Sequence, residues 1–359
     1  MDVVVVSWTL LAREVEAFSK VRFTTVVLDE AHAIKNADTH RARAAHRLQA
    51  DFLVAMSGTP IENHVGELWS LFKAVMPALL GSEDSFHRRF SSGKKEALSA
   101  LLLLVRPFVL RRTKGAVAKE LPPRTDLELV IPLSAEERAL YDDVRLSALS
   151  DLGDLTGDSK RFEVLALLTR LRLTACHPRL VDEAWAGPTS KLSRLLELIE
   201  DLSSSGHRVL VFSQFTKHLA LVVEALREQG VTFSYLDGTV PLAERHRRVE
   251  AFQGGSGGDV FLVSLKAGGT GLNLTSADYV IHLDPWWNPA VEDQASDRAH
   301  RIGQTRPVTV YRLIAEGTIE QQILSMHRDK RELVDALLSG ADTVGKLTTA
   351  QLADLIRSS

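Results

Sequence analysis

The sequence predicts an α/β protein of two parallel-sheet lobes with helical insertions. Three observations carry that reading. Strand-length apolar runs alternate with short helical stretches near the start of the chain and again from Lys191 onward, the pattern of parallel βαβ units with right-handed crossovers. Between these regions the periodicity is helical. Pro122-Pro123 and Gly187-Pro188 punctuate the chain where lobes and inserts would meet.

In order, residues 3–8 read as a buried strand and 9–18 as a helix capped by Thr9. Residues 24–29 form a strand, 40–48 a helix, and 52–57 a third strand ending at Gly58-Thr59-Pro60. Residues 65–75 and 96–104 are helical, followed by a basic cluster of Arg106, Arg111, Arg112 and Lys114. Residues 126–132 are strand-like, Ser134 caps a helix with Glu136 and Glu137 in its first turn, and 162–174 are helical. In the second βα region, 209–213, 233–236, 260–264, 279–283 and 308–313 are strands, and 192–202, 217–229, 242–252, 290–301 and 319–338 are helices. Residues 153–160 form a polar loop and 348–356 a small closing helix. The expected divisions are 1–118, 119–188, 189–338 and 339–359: first lobe with a helical insert, linker strand with a second insert, second lobe, and tail.

The formal net charge is −3 over 359 residues, and 45% are hydrophobic. Any nucleic-acid site must therefore be a local basic surface on an ordinary globular protein. The single cysteine, Cys176, excludes an internal disulfide and fits a reducing compartment. No apolar run reaches membrane-spanning length, the one over 101–109 being broken by Arg106 and Pro107, so no membrane partner is expected. His32, His177 and His300 are scattered and have no zinc-ligand spacing, so a metal cluster is not expected.

Val26-Val27-Leu28 runs straight into Asp29-Glu30. A buried strand ends this way when its tip presents charge, and ligands of open α/β sheets lie beyond such tips. Paired acids suit phosphoryl chemistry, one holding Mg²⁺ and the other directing water; they equally suit a strand end before an acidic helix N-terminus. Ser57 and Thr59, at the next strand tip, could couple the acids to movement elsewhere or simply trim a Gly-Pro turn. Gly268, Gly269 and Gly271 would let backbone N–H groups approach a phosphate, or would form a tight turn. Arg298 and Arg301, three apart on the expected helix, would share a face and could clamp a polyphosphate, or could pair with Asp297 and Glu292 as a solvated face. The Trp286-Trp287 pair, flanked by prolines, reads as a packing wedge in preference to a base-stacking platform.

Taken in order, these stretches resemble the Swi/Snf-type ATPases of helicase superfamily two, a DEAH-box group. The resemblance runs from about Val3 to Ile323 and rests on Asp29-Glu30-Ala31-His32, Ser57-Gly58-Thr59-Pro60-Ile61-Glu62-Asn63, Phe108-Val109-Leu110-Arg111-Arg112-Thr113-Lys114, Cys176-His177-Pro178, Val211-Phe212-Ser213-Gln214-Phe215, Ala267 to Thr275 and Asp284 to Gln304. It implies two RecA-like lobes that hydrolyse ATP with Mg²⁺ in the cleft between them and track along double-stranded DNA. Asp29 would hold Mg²⁺ and Glu30 would activate water. Arg298 and Arg301 would be arginine fingers, with Gln294, Gly271 and His32 as nucleotide-binding residues. Ser57 and Thr59 would couple the lobes, and Ser213, Gln214, Lys266, Arg111 and Arg112 would contact DNA. Family members remodel protein–DNA complexes, a DNA-bound RNA polymerase being one conceivable target. The compact inserts fit a prokaryotic, cytoplasmic protein.

The sequence departs from the family in one place. Neither Gly93-Lys94 nor Gly345-Lys346 has the hydroxyl residue or upstream glycine of the Gly-x-x-x-x-Gly-Lys-Ser/Thr phosphate loop, and both follow the acid pair. The first lobe is therefore expected to be incomplete and hydrolysis by this chain weak. The alternative is a non-catalytic nucleic-acid or protein-binding remnant that keeps the second lobe.

Overall fold

The computed structural model describes residues 2–58, 65–90, 95–112, 114–152, 161–268 and 271–327. They fall into two compact units, one extending to Arg111 and the other starting at Arg112.

In the first unit, helices α1 (Trp8–Arg13) and α2 (Val15–Phe18) precede a two-stranded parallel sheet of β1 (Arg22–Leu28) and β2 (Gln49–Ala55), with α3 (His40–Ala45) as the crossover. Leu28 pairs with Ala55 at the carboxyl end. Leu28, Ala31, Ile34, Ala42 and Ala45 close a core against Leu71 and Ala74 of α4 (Gly66–Val75). On its other side α4 joins α5 (Glu83–Phe90) and α6 (Lys95–Val105) through Phe72, Phe86, Phe90 and Leu101. The strand expected over 3–8 does not form. Val3 is 81% and Val5 89% exposed, because a β-branched run forms a strand only with a neighbour to complete its hydrogen-bond ladder. Ser7 instead caps α1, accepting from Leu10 N at 3.2 Å.

The second unit opens with the short helix α7 (Lys114–Val117) and is built on a six-stranded, all-parallel sheet. The strands are β3 (Arg124–Ile131), β4 (Val209–Ser213), β5 (Phe233–Leu236), β6 (Val260–Ser264), β7 (Tyr279–His282) and β8 (Val308–Ala315), in the order β3-β8-β7-β4-β6-β5. Every residue of β4 and β6 is buried, as expected for central parallel strands covered on both faces. Val209 and Val211 face α10 (Ser190–Ser204) and α11 (Thr216–Glu228); Leu210 and Phe212 face α12 (Leu242–Gly254), α13 (Leu265–Gly268) and α14 (Pro289–Ser296). The strand assigned from sequence to a linker is the edge strand β3, which pairs with β8 along its whole length.

Helices α8 (Ala135–Leu152) and α9 (Arg161–Cys176) pack through Tyr141, Val144, Leu168 and Leu171 onto Ile319 and Ile323, which lie in a helical stretch described over 319–327. Ser134 caps α8 as the sequence implied. Its hydroxyl accepts from Glu137 N at 3.1 Å, and Glu137 accepts from Ser134 N at 2.9 Å, a reciprocal capping box. The same carboxylate accepts from Ser190 N at 2.9 Å, so one glutamate fixes the starts of α8 and α10. The expected loop over 153–160 and tail helix over 348–356 lie outside the described residues.

Candidate nucleotide and nucleic-acid site

In the first unit, the end of β1 delivers Asp29 and Glu30 to the sheet's carboxyl edge. Met56 N donates to Leu28 O and Ala31 N to Met56 O, each at 2.8 Å, so the two strand tips are stitched together. Trp8 Nε1 donates to Asp29 O at 3.0 Å. Asp29 is exposed, and its Oδ1 accepts from Glu30 N at 2.9 Å. Glu30 has φ 47° and ψ 49°, the one positive φ outside glycine among the described residues. This left-handed conformation costs an L-residue about 1–2 kcal/mol, and such strain concentrates at functional sites. It turns the chain into a tight 3₁₀ turn, Ala31–Ile34, and leaves Glu30 Oε2 3.3 Å from His32 Nδ1. An exposed carboxylate oxygen at a rigid strand tip is the donor type Mg²⁺ takes, so Asp29 fits the ion. Ser57 follows Met56 and therefore flanks the pair. Thr59 lies outside the described residues. Arg111 is exposed at the unit's end.

In the second unit, Arg112 is exposed. The stretch after β6 is not a loop from its start, because Leu265–Gly268 forms a helical turn. Lys266 projects into solvent from it. Gly268 is there for packing, since a Cβ would lie 2.9 Å from the Phe212 ring. Gly271 is exposed with φ +70°, where glycine is favoured; Gly269 is outside the described residues.

The expected helix over 290–301 is cut short. Asn288 caps α14, its side chain accepting from Ala290 N at 3.1 Å, and the helix ends at Ser296. Gln294 remains on it, half-buried, but Arg298 and Arg301 lie beyond its end. They do not share a helix face: Arg298 is buried, 8% exposed, whereas Arg301 is exposed. The cause is a set of tight turns, with Arg298 N bonded to Ala295 O at 3.1 Å and Arg301 N to Ala299 O at 3.2 Å.

The carboxyl ends of β4 and β7 carry a buried polar cluster absent from the sequence reading. Ser213 donates its hydroxyl to Asp284, and Gln214 N donates to Asp284 Oδ1 at 3.2 Å. Ser213, expected from sequence as a DNA contact, is thus buried with its hydroxyl committed to Asp284. Gln214 is half-buried, and its Oε1 accepts from Arg172 Nη1 at 3.1 Å. Arg172 also donates to Pro285 O at 2.6 Å and stacks over Phe215, Trp286 and Trp287, 5.1 to 5.8 Å from their centroids. Both tryptophans therefore pack, as the wedge reading expected. The long separation of Cys176, His218 and Asp284 in sequence hid their convergence: one potential ligand atom from each lies within 4.8 Å of the others. Protein partners already occupy two of the three. Asp284 accepts from Ser213 and Gln214, and the Cys176 thiol, pushed well up by burial and by Asp284, lies 3.7 Å from Glu320 Oε1. A thiol held protonated is a poor metal ligand.

Residues 1–180 match the SNF2-related domain and 190–303 the helicase conserved C-terminal domain. The Bacillus subtilis (strain 168) protein YwqA is 39% identical over 367 residues, spanning 99% of this chain and 40% of its own. The human SWI/SNF-related matrix-associated actin-dependent regulator of chromatin subfamily A member 1 is 33% identical over 376 residues, 99% of this chain and 36% of its own. This chain therefore spans well under half the length of these relatives. The Sulfolobus solfataricus SWI2/SNF2 ATPase core, solved in complex with dsDNA, is 32% identical with a TM-score of 0.54, covering 98% of this chain and 76% of that one.

Proposed function

The chain belongs to the SNF2-related family of ATP-dependent helicases and translocases, and from that premise we propose that it is part of an ATP-driven motor that moves along double-stranded DNA and remodels protein–DNA complexes. Asp29 would hold Mg²⁺, which would supply positive charge for the phosphate oxygens. Glu30, aimed by its left-handed backbone, orients the attacking water and accepts its proton. Arg298 and Arg301 stabilise the charge that develops on the transferred phosphoryl group. His32, Gln294 and Gly271 contribute to nucleotide binding, Ser57 and Thr59 to coupling, and Gln214, Lys266, Arg111 and Arg112 to DNA contact. The divisions at 118, 188 and 338 and a prokaryotic cytoplasmic setting belong to the same reading. The observation that carries it is the strained Glu30 beside exposed Asp29 at the tip of β1, a strand that is itself largely exposed apart from Leu28.

One observation favours a second reading. No Gly-x-x-x-x-Gly-Lys-Ser/Thr stretch occurs in these 359 residues, and such a cradle supplies much of the ground-state grip on ATP. The chain would then bind nucleic acid or protein without catalysis, or hydrolyse ATP only weakly. A salt-dependent titration with duplex DNA, single strand and RNA tests the shared element. Duplex should bind most tightly, with affinity falling steeply as salt rises. Equal binding to all three, or none, removes the DNA-tracking part of the proposal.

A further inference from the structure

After α14 ends, three successive carbonyls, of Arg298, Ala299 and His300, each accept a hydrogen bond from outside the helix. The donors are Leu274 N, Gln304 Nε2 and Lys114 Nζ, each at 3.0 Å. Carbonyls at a helix end have no partner within the helix, so these donors set the path the backbone takes.

Lys114 does more than donate to one carbonyl. Its ammonium lies 2.5 Å from Asp297 Oδ1, the residue just before Arg298. Arg124 reaches Asp297 Oδ1 at 3.5 Å and Asp293 Oδ1 at 3.0 Å. Burial works against the Arg124 charge, but Asp126 and Asp293 more than offset it and hold its pKa above the ordinary value. Arg312 extends the ladder, with Nη1 2.8 Å from Asp126 and Nε 2.9 Å from Glu292 of α14. His300 Nε2 lies 2.8 Å from Pro122 O. On the other side, Gln304 Nε2 is also within reach of Thr275 O at 3.1 Å and Ala277 O at 2.8 Å, tying the arginine segment to the stretch that follows Gly271.

We infer that Lys114 and Gln304 are positioning residues for the arginine pair. They hold residues 297–301 in one pose, so that Arg298 and Arg301 present their charge without reorganising when phosphoryl transfer begins. The inference rests on the hydrolytic reading above and deepens it. Preorganised charge lowers a barrier only when its carrier is fixed beforehand. A backbone whose carbonyls are tied down in succession meets that need for two side chains at once. The tie also gives a route by which Gly271 and Arg298 move together, through Leu274 N and Gln304.

Hydrogen exchange on the 359-residue chain tests this, comparing wild type with Lys114→Met and Gln304→Met. In both variants the amides of 297–301 should exchange about tenfold faster while those of β4 and β6 keep their rates. Lys114 is partly exposed, so molar salt should speed exchange of this segment more in wild type than in Lys114→Met, where the less exposed Arg124 contacts remain. Where ATP hydrolysis is measurable with saturating duplex DNA, kcat should fall about tenfold in Lys114→Met with KM unchanged, the signature of an interaction made only in the transition state. Unchanged exchange at 297–301 in Lys114→Met overturns the inference, as does equal acceleration in β4 and β6. If wild type hydrolyses no ATP, the hydrolytic reading fails and the exchange and salt patterns alone decide the positioning.

Discussion

Lys191 and Glu320 form a fully buried ion pair, Nζ lying 2.7 and 2.6 Å from the two carboxylate oxygens. Nζ also donates to Leu283 O at 2.9 Å, and Ala315 N donates to Glu320 Oε2 at 2.9 Å. The pair thus joins the start of α10, the end of β7 and the end of β8. Burial opposes the ammonium charge, but Glu320 outweighs it and keeps the Lys191 pKa above its usual value. Removing one partner leaves the other charge buried alone. Lys191→Met should therefore cost about 3–5 kcal/mol of unfolding free energy. Lys191→Met combined with Glu320→Met should recover most of that, as measured by urea denaturation. A single variant within about 0.5 kcal/mol of wild type contradicts the assignment.

Stability should fall as the medium is acidified. Burial, reinforced by Arg312 and Arg124, brings the His282 pKa down to about 3. Burial, with His218 and Arg179, brings His177 to about 3 as well. The unfolded value is about 6.5. The folded values lie below it, so the unfolded chain takes up protons that the folded chain refuses. The contribution is complete above pH 6.5 and is lost as pH falls toward 3, at up to about 1.4 kcal/mol per pH unit for each histidine. His282→Gln should reduce the pH dependence of unfolding between pH 4 and 6 by about one proton. An unaltered slope refutes the buried neutral imidazole.

Gly268 and Gly271 should respond differently to alanine. At Gly268 the new Cβ meets the Phe212 ring at 2.9 Å, and Phe212 is buried in the sheet core. Overpacking there should lower stability by about 1–3 kcal/mol. Gly271 faces open space, so only its positive φ is strained, at about 1–2 kcal/mol. Thermal unfolding should rank Gly268→Ala below Gly271→Ala; the reverse order contradicts the packing role.

The first unit exposes apolar sheet surface, including Val27 and Met56, with Phe52 at 63%. Exposed apolar surface on a short sheet promotes association. Sedimentation velocity should show concentration-dependent self-association of the chain, reduced by Phe52→Lys. A monodisperse wild-type monomer across the micromolar range would count against it.

Much of this was legible in the sequence. The β-branched apolar run Val209 to Phe212, set between predicted helices, was readable as a central parallel strand, and Ser134 with Glu137 is a local hydrogen-bond pattern. Two failures have a common cause. Val3 to Val6 has strand propensity but no ladder partner, and the helix through Arg298 and Arg301 yields to donors from Lys114 and Leu274, distant in sequence, and from nearby Gln304, whose side chain folds back onto Ala299 O. Periodicity reports local preference and is blind to such partners. The cluster of Arg172, Lys191, Cys176, His218, Asp284 and Glu320 left no local trace, because buried charges are recognisable only once their partners are in place. Glu30 was singled out in sequence by its carboxylate at a strand tip, but its left-handed backbone could not be foreseen for a non-glycine residue.

The central claim is that the acids at 29 and 30 and the arginines at 298 and 301 serve one hydrolytic reaction. ATP turnover by the purified chain, with and without duplex DNA, tests it most directly when Glu30→Gln and Arg301→Ala are assayed alongside. The account predicts slow, duplex-stimulated turnover, below about 0.01 s⁻¹ against about 1–10³ s⁻¹ for typical enzymes, and its loss in each variant. Turnover that ignores both substitutions, or that duplex DNA does not stimulate, would contradict it.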